Sequence, residues 1–292
     1  MNWRVFLAVL ASLVLLYPLV SIQSQTAQPP TGAILYAFAP EGTLLRKQMT
    51  QVVESDDIVG TLAEGTLNGV RVILLPSGVG MTNAALATQR VIDRYHPRWI
   101  IFSGIAGGIE PTNQIGDIVV PAECATHQFG YVGARGFETR SISLKGETFG
   151  VSSAAQASFR TFKADARLLD VARAASTVAR AGLKPVQGRV PSISIGGVCV
   201  SGDQFVDQVQ MREFLFTTFK ARIVDMETSA FLQVCNANKV PCLANRSSSD
   251  LAGGSGSSSA VAEIGQFFQI AADNAAAMTL AELRFIALWE QR

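Results

Sequence analysis

The sequence has little charge and almost no excess of either sign. Asp, Glu, Lys and Arg make up 16% of its 292 residues, and the formal net charge is +1. That removes the usual reason to expect nucleic acid or an anionic surface as a partner. Histidine is nearly absent. His96 and His127 are the only two, too few for a convincing metal site, and no carboxylate spacing helps them. His96 precedes Pro97 at a predicted helix end, where capping is its expected role. The four cysteines, Cys124, Cys199, Cys235 and Cys242, match no metal-ligand spacing. They read as small buried residues, Cys235 in a helical pattern and Cys242 in a strand pattern. There is no P-loop lysine and no G-x-G-x-x-G, so both nucleotide motifs are rejected. The expectation is no metal and no cofactor.

Only one apolar run is long enough to stand apart. Residues 5–20 are apolar and follow Arg4; polar residues and then Pro29 and Pro30 come after. This reads as an export signal. The run is short for a membrane span, and Pro18 interrupts it. No strong A-x-A cleavage site is visible, and a cut after Ser24 is the candidate. An uncleaved anchor through residues 5–20 is the alternative. No cysteine follows the run, so a lipoprotein site is not expected. The chain thus divides into 1–31, a signal peptide or N-terminal membrane anchor, and 32–292, the folded domain. The expected location is exported, periplasmic or secreted, where disulfides are permitted; whether the cysteines pair is left open.

Hydrophobic residues make up 48% of the chain, enough for a sizeable core and too many for a disordered one. Apolar runs at 33–38, 70–76, 98–103, 117–121, 193–201 and 240–246 read as buried strands. Between them, apolar residues recur at helical spacing over 84–95 and 261–286, and further helices are expected over 42–53, 165–181 and 227–238. The alternation predicts an α/β domain. Residues 122–163 have weak periodicity and read as an irregular excursion from it.

In such folds ligands gather where strands hand over to helices. Five segments sit there: 39–43, 77–83, 104–108, 201–205 and 246–250. "VDMET" (224–228) joins them by entering a helix directly. The segment "NRSSSDLAGGSGSSSA" (245–260) has the composition of a flexible linker, yet carries Arg246 and Asp250 four residues apart.

Taken in order, "GIAGG", "GDIVVP", "VSGDQF", "VDMETSA" and "RSSSD" resemble the purine nucleosidase/phosphorylase superfamily, most closely its 5′-methylthioadenosine/S-adenosylhomocysteine nucleosidases. The resemblance runs from Ile34 to the last helix. It implies a three-layer α/β/α fold with a central twisted mixed β-sheet, nucleoside phosphorylase-like, usually a homodimer with the site near the subunit interface. It implies hydrolysis of the bond between a purine and its ribose, with a small-molecule purine nucleoside as the partner. That chemistry needs an acid for the purine, an anchor for the ribose and a base for water.

By the resemblance, Asp250 is the general acid to the purine N7, oriented by Ser249, and a small-residue loop delivers it. Glu227 binds the ribose hydroxyls, with Met226 against the sugar. Glu41 activates water, and Arg246 holds Glu41 or the water. Phe205 stacks on the base, whose edge the Val206 backbone reads. Ala106 and Gly107 allow close approach of the base, and Phe38 and Val79 face the ribose and the 5′ side. Each has a plainer reading. Asp250 could be a solvated linker residue, Glu227 and Glu41 helix first-turn acids, Arg246 a surface arginine and Phe205 a core aromatic.

The sequence departs from the pattern twice. Ile105 replaces a small hydroxyl residue near the water, and Ala260 replaces an aromatic over the 5′-thioether. Two other functions compete. Phosphorolysis on the same fold would need an arginine-lined phosphate pocket where Glu41 stands. A non-catalytic nucleoside-binding or storage relative would be expected to lack the carboxylates.

Overall fold

The computed structural model describes residues 32–134, 136–139 and 160–290. The expected export segment, 1–31, and part of the 122–163 excursion lie outside the described residues. The helices are α1 (Ala39–Gln48), α2 (Met81–Tyr95), α3 (Ala166–Gly182), α4 (Val209–Phe219), α5 (Thr228–Asn238) and α6 (Ala260–Glu290). The strands are β1 (Gly32–Tyr36), β2 (Thr50–Asp57), β3 (Gly60–Leu67), β4 (Val70–Pro76), β5 (Ile100–Gly108), β6 (Ile118–Val120) and β7 (Glu123–Thr126). They continue with β8 (Gly130–Gly133), β9 (Gly136–Thr139), β10 (Thr161–Lys163), β11 (Ile193–Ile195), β12 (Val198–Ser201), β13 (Ala221–Asp225) and β14 (Cys242–Leu251).

Twelve strands form one mixed sheet in the order β10-β7-β12-β13-β5-β1-β4-β3-β2, with β14 on β5 and β6, and β11 on β6. Strands β8 and β9 make a separate two-stranded ribbon. The centre is parallel, β1 pairing with β4 and β5, and β14 with β5. All nine residues of β5 are buried, as expected for a strand covered on both faces. Helices α2 and α5 pack together, and α1 and α3 pack on α6. The result is the expected three-layer α/β/α arrangement. The apolar stripe of α2, Ala84, Ala87, Val91 and Ile92, is buried. His96 ends that helix in the left-handed conformation, the capping place read from its position before Pro97.

Several boundaries differ from the sequence reading. The helix expected over 42–53 stops at Gln48, and β2 begins at Thr50. Strand β2 lies at the sheet edge and is mostly exposed, so it lacks the alternation that marks a half-buried strand. The β3–β4 turn is Asn68–Gly69, both at positive φ, the favoured residues of a tight hairpin. Helix α4 was not anticipated. The 122–163 excursion contributes β7 and β10 to the central sheet.

The cysteine expectation is corrected in part. All four are buried, but they are paired as Cys124–Cys199 and Cys235–Cys242. The first pair joins neighbouring strands, where β12 registers Cys199 against Cys124 of β7. The second ties the C-terminal turn of α5 to the start of β14.

Candidate active site

Two segments expected to be loops are strand. "GIAGG" completes β5, and "RSSSDL" completes β14. Gly and Ser are poor strand formers, but strand preference yields to surroundings. Here β14 pairs in parallel with β5 along its length and is also paired with β6. Asp250 therefore sits on a strand, not on the flexible loop expected to deliver it. The register slips between Ser248 and Asp250, which makes Ser249 the extra residue of a β-bulge. Strict alternation would send Ser249 and Asp250 to opposite faces; a bulge re-aims side chains. Ser249 Oγ can thus donate to Asp250 Oδ2 at 2.8 Å.

One cleft is lined by Ala37, Phe38, Glu41, Val79, Ile105, Ala106, Gly107, Gln204, Phe205, Val206, Val224, Asp225, Met226, Glu227, Ser249 and Asp250. Every residue given a site role by the resemblance lines it except Arg246, which lies behind the wall, and Ala260 is not among the lining residues. The three separated carboxylates converge: Glu41, Glu227 and Asp250 are at most 4% exposed. The plainer readings of Asp250 and Arg246 therefore fail, while Glu41 and Glu227 do stand at helix N-termini and face the cleft from there. None of the three carboxylates is a solvated acid, and Arg246 is 0% exposed rather than on the surface. Phe205 and Val79 stand at the rim, 44% and 46% exposed, so Phe205 is no core aromatic.

Glu41 reaches the cleft from the first turn of α1. Its Oε2 accepts from Ala37 N at 2.6 Å, and its Oε1 accepts from Ile105 N at 2.8 Å. Burial raises its pKa, against the pull of Arg246 and of the backbone amides. Gly104 is required by close approach. A Cβ there would overlap Glu41 Oε1 and lie 2.5 Å from Arg246 Nη1. Ile105, the first departure from the family pattern, contributes its amide to Glu41 while its side chain packs with Phe38, Ile264 and Phe268. Ala260, the second departure, is buried at the start of α6, and the bulk on that helix comes later, at Ile264 and Phe268.

Arg246 is held by groups the sequence reading did not assign. Its Nε donates to Thr228 Oγ1 at 3.0 Å and pairs with Asp225 Oδ2 at 2.8 Å. Its Nη2 lies 3.4 Å from Glu227 Oε2, an ion pair too poorly directed to count as a hydrogen bond. The guanidinium also stacks 4.4 Å above the Phe102 ring. No hydrogen bond joins Arg246 to Glu41 among the described residues, so its influence on Glu41 is through charge. Asp225 is the residue missed. Its Oδ1 accepts from the Ser201 hydroxyl and from Glu227 N and Thr228 N at 3.3 and 3.2 Å. It anchors both the arginine and the turn that presents Glu227. The signal was its place in "VDMET", two residues before Glu227.

Glu227 Oε1 accepts from Gly80 N at 3.0 Å, where Gly80 takes φ +100° before α2 begins. Burial pushes the Glu227 carboxyl up to about 7, opposed by Arg246. Asp250 is also pushed up to about 7, by burial first, against the bond from Ser249. Among the described residues its Oδ1 has no partner, and it faces Gly107, whose added Cβ would come within 3.0 Å. A buried carboxyl with one unused oxygen and a pKa near neutrality suits proton delivery.

The phosphorylase superfamily profile matches residues 33–284. The 5′-methylthioadenosine/S-adenosylhomocysteine nucleosidase of Tolumonas auensis is 32% identical over 86% of this chain and 97% of its own. The crystal structure of the enzyme of that name from Neisseria meningitidis, in complex with methylthio-immucillin-A, superposes with a TM-score of 0.69 at 26% identity, covering 87% of this chain and 98% of that one. The Colwellia psychrerythraea enzyme of that name, in complex with adenine, gives 0.69 at 26%, covering 88% and 95%. The chain belongs to the phosphorylase superfamily and, within it, to the family of the 5′-methylthioadenosine/S-adenosylhomocysteine nucleosidases.

Proposed function

We propose that this protein hydrolyses the N-glycosidic bond of 5′-methylthioadenosine- and S-adenosylhomocysteine-type adenosines, releasing adenine and the thioribose. The observation that carries the reading is the convergence of Glu41, Glu227 and Asp250 on one cleft, with Arg246 buried behind them. Asp250 gives its proton to purine N7 as the C1′–N9 bond breaks and its electron pair moves to the base. Glu227 accepts hydrogen bonds from the ribose hydroxyls and lies beside the developing positive charge. Glu41 takes a proton from water, whose oxygen bonds to C1′. Phe205 covers the base, while Val206, Ala106 and Gly107 flank it. Phe38, Val79 and Met226 line the sugar and the 5′ side, which favours an apolar alkylthio group. Hydrolysis is favoured over phosphorolysis by charge, since a phosphate at the nucleophile position would face Glu41. Assays of free pentose against pentose 1-phosphate, with and without phosphate, test this. Strict phosphate dependence refutes hydrolysis.

The finer reading is of an exported homodimer that recovers purines from nucleosides outside the cell. Two disulfides support export, because they persist in oxidising compartments. The apolar rim at Phe205 and Val79 supports a second copy beside the site. N-terminal sequencing of the mature protein and its sedimentation mass test the two points.

A further inference from the structure

A further buried carboxyl lies behind the active-site strand. Glu282 of α6 is 0% exposed, and among the described residues no cation lies beside it. Its Oε2 accepts from Asn245 Nδ2 at 2.6 Å, and the same Nδ2 donates to Thr279 Oγ1 at 2.9 Å. Asn245 precedes Arg246 on β14, so the two side chains leave opposite faces of the strand. Asn245 registers against Ser103 of β5. Glu282 Oε1, Asn245 Oδ1 and Ser103 Oγ are buried and unpartnered.

These atoms favour the neutral form. Both Asn245 amide hydrogens are already used, so its Oδ1 needs a donor. Ser103 brings one O–H, which an ionised Glu282 would leave facing two acceptors, Asn245 Oδ1 and Glu282 Oε1, whereas a protonated Glu282 adds a second O–H. We propose that Glu282 is a neutral acid that seats the back of β14 through Asn245, and so acts as a positioning residue for Arg246.

Burial alone pushes its pKa up to about 8, opposed only by Asn245. The charged groups of the packed elements have other roles. On α1, Glu41 faces the cleft, Arg46 pairs with Glu54, and Lys47 is exposed. On β4, Arg71 pairs with Glu64. On α3, Arg167, Asp170, Arg173 and Arg180 are exposed. On β14, Arg246 pairs with Asp225, and Asp250 faces the cleft. On α6, Glu263 accepts from Leu251 N, Asp273 pairs with Lys184, and Arg284 is exposed. Nothing in this set can neutralise an ionised Glu282.

The test is Glu282→Gln, a neutral amide of nearly the same shape, compared with wild type across pH. Should it fail to fold, Glu282→Met replaces it, filling similar space without a titrating group. Taking the ratio of variant to wild-type kcat cancels the titration of Asp250. This part rests on the nucleosidase reading. That ratio should rise about fivefold or more between pH 7 and 9, as wild-type Glu282 ionises, with KM shifting little. Independently of activity, the Tm gap between variant and wild type should widen from pH 5 to 8 and then level off. The folded state holds a proton there that the unfolded state has released. A Tm gap that stays constant over pH 5–8 overturns the neutral acid. A flat kcat ratio with a widening Tm gap overturns the link to Arg246. Should no protein turn over nucleosides, the nucleosidase reading fails, and the Tm series still decides the charge state of Glu282.

Discussion

Asp250→Asn separates proton delivery from shape. Asparagine keeps the outline of the side chain and can still accept from Ser249, but has no proton to give. On the proposed mechanism kcat falls by roughly 100-fold to 10,000-fold, the usual worth of a general acid. Wild-type kcat declines above pH 7, about tenfold per pH unit once the carboxyl is mostly ionised, while the residual activity of the variant lacks that limb. The same substitution has a stability effect of the opposite sign. An unfolded aspartate releases its proton near 3.8, and the folded one keeps it until about 7. Between these values the folded state binds more protons, so stability fully present below 3.8 is lost as pH rises to 7. The rise corresponds to at most about 4 kcal/mol at 1.36 kcal/mol per unit, and asparagine carries no such penalty. Urea unfolding of both proteins at pH 4 and pH 8 reads the difference. The variant should gain about 2–4 kcal/mol on wild type between the two pH values. A kcat within tenfold of wild type at pH 7, or an unchanged stability gap, refutes the reasoning.

Further substitutions probe the rest of the site. Glu227→Gln should lower kcat/KM at least about 100-fold, since two charge-assisted hydrogen bonds are worth roughly 1.5–3 kcal/mol each; a loss under tenfold would remove it from ribose binding. Gly104→Ala should reduce kcat by about tenfold or more and cost about 1–3 kcal/mol by overpacking, read by steady-state kinetics and thermal melting; native activity would show that Glu41 and Arg246 can part freely. Alkylation of the unreduced protein should label no cysteine. Replacing Cys235 and Cys242 together by serine should cost about 2–3 kcal/mol, and the wider Cys124–Cys199 loop about 4–5 kcal/mol, on chain-entropy grounds; denaturant midpoints check both.

The site was more legible in the sequence than the elements that carry it. Glu227 and Asp250 were found because each sits in a motif whose order along the chain is informative, and Glu41 by its register just after the first strand. The strand under Asp250 was missed because "RSSSD" has a linker's composition, and only its pairing with β5 and β6 makes it extended. Asp225 was overlooked because two of its partners, Ser201 and Arg246, are brought to it only by folding. The Cys124–Cys199 disulfide was hidden for a similar reason. Cys124 and Cys199 are 75 residues apart, and local pattern says nothing of cross-strand neighbours. Edge strand β2 escaped because its exposed residues have no inward face to mark.

The bulge at Ser249 separates two duties within a few residues. The acid is bolted to the middle layer of the domain, while the glycine- and serine-rich span after it can vary without disturbing proton transfer. Relatives on this scaffold could therefore change how fast a leaving base escapes, or which 5′ tail is admitted, and leave the bond-breaking step alone. Swapping residues 253–259 should move release and selectivity, and leave single-turnover cleavage where it was.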